Sequence, residues 1–132
     1  MRFRGKKQKR GTVTVELAVV SPLMFAMLFG IIEFGWAFTV RHTMVNAARE
    51  GARIGALQGA EESDVRTKVA QLLEPMDLNS RVTVSVDWGT EDDPMCEVRL
   101  SVPQEDISLV GDFFGFGYGE LDAYAAMRRE GL

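Results

Sequence analysis

Residues Leu17 to Val40 read LAVVSPLMFAMLFGIIEFGWAFTV, with Glu33 as the one ionisable side chain. As a helix this stretch would rise about 36 Å at about 1.5 Å per residue, against about 30 Å of bilayer hydrocarbon. Twelve of its residues are Leu, Ile, Val or Phe. At about 0.3–0.6 kcal/mol each they favour insertion by about 5 kcal/mol, more than the roughly 3 kcal/mol that one off-centre carboxylate costs. The stretch predicts a single transmembrane helix. Pro22 stands near its first turns, placed to kink it, because the ring removes a donor and crowds the preceding turn. A secretory signal peptide would need an apolar core of only about 7–15 residues and a small-residue cleavage site close behind. This core is longer, and the nearest such site, Val45-Asn46-Ala47, lies in a run that reads as helix.

Outward from the span, the charges are segregated. Six of the fifteen bases, Arg2, Arg4, Lys6, Lys7, Lys9 and Arg10, fall in residues 1–11, which hold no acid. Nine bases then face nineteen acids in the rest, so a net charge of −4 conceals a body at −10. The basic leader predicts a cytoplasmic N-terminus, with Arg41, Arg49 and Arg53 a weaker cluster beyond the span. A net-acidic body argues against nucleic acid as a partner, since phosphate neutralisation needs surface cations. Cys96 and His42 are each the only residue of their type, which excludes disulfide frameworks and His-pair zinc motifs.

At the junction of leader and span the chain reads Lys9-Arg10-Gly11-Thr12-Val13-Thr14-Val15-Glu16-Leu17. Gly11 offers an extended, unhindered backbone to a protease. Glu16 stands at the apolar mouth of the helix, where an unpaired carboxylate is costly. This arrangement resembles the processing site of type IV prepilins, which a membrane peptidase cuts after the glycine. Cutting between Gly11 and Thr12 would discard the leader and free the amine of Thr12. The resemblance implies that Glu16 pairs with the new amine of a neighbouring subunit. The alternative is an uncut helix whose Glu16 snorkels to the headgroups.

Three pieces extend the likeness: Gly11 to Glu16, Gly30-Ile31-Ile32-Glu33-Phe34-Gly35, and Asn46-Ala47-Ala48-Arg49-Glu50-Gly51-Ala52-Arg53. Together they resemble the TadE-like family, minor pilins or pseudopilins of the tight-adherence (Flp-type) pilus system. The end, Ala125-Ala126-Met127-Arg128-Arg129-Glu130, looks like the closing strand of such proteins. Leu17 follows Glu16 where major Flp pilins have tyrosine, which favours a minor or pseudopilin role. The resemblance implies a pilin-like fold in a bacterial cytoplasmic membrane. It implies as partners the bilayer, a prepilin peptidase, other pilins and an inner-membrane assembly platform, with no cofactor.

Beyond the span, Ala47, Gly51, Gly55 and Gly59 recur every four residues, and so do Ala48, Ala52, Ala56 and Ala60. On a helix each row lies along one face, giving a stripe almost without side chains. Glycine costs up to about 1 kcal/mol in a helix, so three on one ridge imply a packing reason, as small-xxx-small motifs have in membranes. The stripe fits either the chain's own sheet or another subunit. Arg49, Glu50 and Arg53 border it, placed for charge pairing. Glu33 also has two readings. It pairs with a partner helix, or it is a carboxyl that is protonated or hydrogen-bonds a neighbour. Arg41 is too far along the same helix, so a charged partner for Glu33 would come from another chain.

Glu61, Glu62 or Ser63 opens a second helix with Val65, Val69, Leu72 and Leu73 on one face, ended by Glu74-Pro75. Three period-two segments follow: Val82 to Trp88, Cys96 to Val102 and Leu121 to Met127. The expected fold is α+β: a long N-terminal transmembrane helix continuing outward, a second short helix and a small three-stranded antiparallel sheet. The divisions are 1–11 leader, 12–40 span, 41–60 helix extension and 61–132 extracytoplasmic domain. Phe113, Phe114, Phe116 and Tyr118 lie in a glycine-rich loop, read either as filling a small core or as presented to lipid or a partner. Cys96 falls on the inward face of its strand, and Asp92-Asp93 reads as a solvated turn without the ligand spacing of a calcium loop. No nucleophile–base set, phosphate loop or metal cluster is present, so the expected role is structural. An anchored binding or sensor module with an uncut N-terminus, or a secreted protein after signal cleavage, are the other classes.

Overall fold

The computed structural model describes residues 9–90, 92–111 and 119–130. The aromatic loop residues Phe113, Phe114, Phe116 and Tyr118 lie outside the described residues.

Helix α1 runs unbroken from Lys9 to Gly55. Its length, about 70 Å at about 1.5 Å per residue, exceeds any bilayer. It is long and apolar enough to cross a membrane, and its apolar window is wholly unburied. Val13, Leu17, Leu23, Phe25, Leu28 and Ile31 all stand exposed there. Pro22 is accommodated without ending the helix. Gly11, expected in extended backbone, lies in the first turns of α1 instead. No helix-breaking residue separates Lys9 from the apolar run, so helical pairing extends back over the glycine.

The expected extension to residue 60 stops at Gly55. Ala56 and Leu57 close the helix with bonds to Ala52 and Ile54, and Gly59 then turns at φ 79°, where glycine carries no side-chain penalty. Gly59 and Ala60 are therefore turn residues and not part of a packing ridge.

Helix α2 (Glu62–Leu73) starts from Glu61 in extended conformation, and a capping box with Asp64 satisfies its first donors. The Glu61 N–H donates to Asp64 Oδ2 at 3.1 Å. Glu74-Pro75 turns the chain into a single 3-10 turn, Glu74–Met76, which Asp77 closes at φ 53°. Strands β1 (Thr83–Asp87), β2 (Met95–Pro103) and β3 (Glu120–Arg128) form an antiparallel sheet in the order β1-β2-β3. Val98 lies opposite both Val86 and Ala125, and Leu100 opposite Val84 and Ala123, so the apolar faces coincide. The alanine-rich last segment pairs with β2 along its whole length and is a strand.

One face of the sheet carries Cys96, Val98, Leu100, Val102 and Ala123, all buried. Against it pack Val40, Met44, Ala47, Ala48 and Ala52 of α1 and Val65, Val69 and Leu73 of α2, while Leu78 and Ile107 complete the core. The other face is polar: Arg99 lies between Ser85 and Tyr124. The fold is thus α+β, with the upper half of α1 built into the domain and the lower half outside it. The chain's end fixes this arrangement, because the Glu130 N–H donates at 2.8 Å to the Ala56 carbonyl, left free where α1 stops.

Candidate functional site

The functional features lie along α1 in three zones. The lowest is the junction. Gly11 and Thr12 are exposed, with nothing within 4 Å of a side chain built at Gly11. Glu16 is exposed in the apolar stretch between Val15 and Leu17, both more than 60% exposed.

The top zone is the small-residue stripe. Ala47, Ala48, Gly51, Ala52, Gly55 and Ala56 are buried. They face the chain's own α2 and β2. A Cβ on Gly51 would stand 2.8 Å from Val69 Cγ2 and 3.4 Å from Val65 Cγ1. A Cβ on Gly55 would collide with Cys96 Sγ and stand 3.2 Å from Val65 Cγ2. Glycine there lets the helix backbone lie directly on a strand side chain. The stripe is therefore covered within one chain. The bordering charges point outward: Arg53 Nε binds Glu50 Oε2 at 2.6 Å within the helix, both side chains at least 40% exposed. Such a surface pair is worth at most about 1 kcal/mol. Arg49 is exposed on the opposite side beside Phe38, Arg41, His42 and Val45.

Cys96 is buried beneath Gly55. Burial raises its thiol pKa above the ordinary 9.0, Asp87 raises it further, and Arg129 opposes them. A group whose folded pKa is raised keeps its full stabilisation below the unfolded pKa and loses it as pH climbs toward the folded one. Wild-type protein should therefore lose stability above about pH 9, and Cys96→Ala should not share that loss. Urea midpoints of both proteins across this range check it.

Between these zones lies a contact that the sequence did not disclose. Glu33 accepts hydrogen bonds from the backbone N–H of Leu109, at 3.0 Å to Oε2, and of Val110 at 3.1 Å. One turn above, the Trp36 indole N–H donates to the Ile107 carbonyl at 2.8 Å. The short helix α3 (Gln104–Ile107) and residues 108–111 are thereby held on α1. The Gln104 N–H closes the base of the loop on the Gly119 carbonyl at 2.9 Å, and Arg81 Nη1 reaches the Asp106 carbonyl at 2.7 Å. Of the two readings of Glu33, the structure shows the carboxyl hydrogen-bonded to neighbours, and those neighbours are backbone amides of the same chain. The signal was the helical spacing Glu33, Trp36, Val40, Met44, Ala47, which continues the domain-facing stripe downward.

Among the described residues no cluster of three or more His, Cys, Asp or Glu is set to hold a metal. Residues 11–53 match the family model described as TadE-like protein. No curated protein and no solved structure matches the chain.

Proposed function

We propose, from the match of residues 11–53 to the TadE-like family model, that this chain is a pseudopilin or minor pilin of a Tad-type pilus. It is a structural or assembly component, trimmed between Gly11 and Thr12 by a prepilin peptidase. The N-terminus enters the peptidase from the cytoplasmic side, and the α+β domain stands outside the cytoplasmic membrane. An assembly platform and other pilins are its partners, and the energy of assembly comes from them.

The observation that carries this reading is Glu16. It is exposed on an apolar helix, five residues after Gly11. A carboxylate left alone in hydrocarbon costs about 3 kcal/mol. The amine of Thr12 on a neighbouring helix offsets that cost and fixes the stagger between subunits. Lateral packing uses the exposed lower half of α1, since the small-residue stripe is occupied by the chain's own domain. Arg49, Glu50 and Arg53 remain available at the surface for contacts above the membrane.

Glu16→Ala should still be trimmed but should fall at least tenfold in the fraction cross-linked to, or sheared off with, other pilins. Immunoblots of membrane and sheared fractions measure it in a host carrying the pilus system. Normal incorporation of the variant overturns the register role. A second reading is an uncut, permanently anchored module. It is favoured by one feature, the unbroken helix through Gly11.

A further inference from the structure

We propose that the segment from Gln104 to Gly111 is a foot that rests on the outer lipid surface, with Leu109 inserted into the outer leaflet and Glu33 marking the hydrocarbon boundary. The proposal rests on the membrane reading above and goes beyond it. It places the boundary seven residues below Val40, the end of the apolar stretch.

Three observations lead there. The first is the clasp. The Glu33 carboxylate and the amides of Leu109 and Val110 satisfy one another, but residues 108–111 form an irregular segment in which Leu109 and Gly111 are exposed. Irregular backbone exposed to lipid does not occur within the hydrocarbon, so this segment lies no deeper than the headgroups. Because it is bonded to Glu33, Glu33 shares that level.

The second is length. From Gly11 to Ile32 the helix rises about 32 Å at about 1.5 Å per residue, matching about 30 Å of hydrocarbon. Val40 and Met44, fully buried under the domain, then stand about 10–17 Å above the boundary and need no lipid.

The third is the surface of the foot. Leu109 is 57% exposed while Ile107 is buried, so among the described residues of this segment the large apolar side chain left exposed is the one beside Glu33. One turn below Glu33 on the same face of the helix, Phe29 begins the exposed apolar surface of the span. Leu109 continues that surface. Trp36, whose indole N–H bonds the Ile107 carbonyl, stands at the level where tryptophan favours the membrane interface.

The occupant of this surface is lipid rather than a second protein chain, because the patch is continuous with the exposed apolar surface of the span. The clasp then does mechanical work: it sets the height and tilt of the α+β domain on the membrane.

The test uses the full chain in vesicles of phosphatidylcholine and phosphatidylglycerol, in a Cys96→Ala background. An environment-sensitive fluorophore is attached through Leu109→Cys, Leu28→Cys or Ser85→Cys. Lipids bearing a spin label high or low on the acyl chain quench it. The Leu109 site should be quenched at least threefold more by the high label than by the low one. The Leu28 site should be quenched strongly by both, and Ser85, on the polar face of the sheet, by neither. Adding Glu33→Ala should abolish quenching at the Leu109 site, and Glu33→Gln, which keeps an acceptor oxygen, should restore most of it. An unquenched Leu109 site beside a quenched Leu28 site overturns the foot and leaves the span intact. If aqueous iodide also fails to reach that site, a protein surface covers it, and the lipid assignment is again wrong. An unquenched Leu28 site removes the membrane reading itself.

Discussion

Gly55→Leu should unfold the α+β domain while leaving the membrane helix in place. The first added atom already meets Cys96 Sγ, and Val65 closes the space beside it. Neither neighbour has room to move, since Cys96 and Val65 are both fully buried. The Glu130–Ala56 hydrogen bond also ties the segment after β3 to the helix end. Overpacking a close-packed core costs about 1–3 kcal/mol, and a leucine set against two buried side chains belongs at or above the top of that range. A domain of this size has only about 5 kcal/mol to lose. Urea denaturation in detergent, followed by near-ultraviolet circular dichroism of Trp36 and Trp88, should show the cooperative transition lost or its midpoint sharply lowered. Far-ultraviolet helix signal from the lower half of α1 should persist. Gly55→Ala should cost less, and combining it with Cys96→Ala should recover most of the difference, since the sulfur is the atom struck. An unchanged midpoint for Gly55→Leu would remove the close approach of helix to strand.

Gly11→Val should abolish trimming when the chain is expressed with a cognate prepilin peptidase. The glycine lies in the first turns of α1, exposed and free of contacts. A peptidase must draw this turn into an extended strand before cutting. Glycine leaves a helix readily, by about 1 kcal/mol relative to alanine, and presents no side chain to the protease. A β-branched valine obstructs the extended backbone where the bond is cut. Because the site touches nothing else, the substitution should not disturb the domain, and a shift in its urea midpoint is not expected. Retention of the leader in at least nine-tenths of the product is the expected immunoblot result. Loss of the leader at the same bond would sink the motif.

Much of this architecture was legible because its determinants are local. A twenty-four-residue stretch with one ionisable side chain specifies a helix long and apolar enough to cross a membrane, Glu74-Pro75 stops a helix, and the alternation from Cys96 to Val102 specifies a buried strand face. The three strands, their pairing and the α2 boundaries follow from such patterns. Two features escaped for physical reasons. The end of α1 is set by a long-range bond, Glu130 to Ala56, and by Gly59 entering positive φ. The four-residue ridge continues smoothly across that point in sequence and conceals the stop. The Glu33 clasp joins residues 76 and 77 positions apart through backbone amides, which leave no trace in side-chain identity. Only the continuity of Glu33 and Trp36 with the domain-facing stripe could have revealed it. The stripe itself was visible, but whether it met its own sheet or another subunit depended on Val65, Val69 and Cys96 arriving from elsewhere in the chain.

On the proposed reading, the basic leader is temporary and the working protein begins at the foot of the apolar helix. Intact mass and N-terminal sequence of the protein recovered from membranes of a host with the pilus system test this directly. The expected chain starts at Thr12. A chain that still starts at Met1, or one that starts near Ala48, would contradict it.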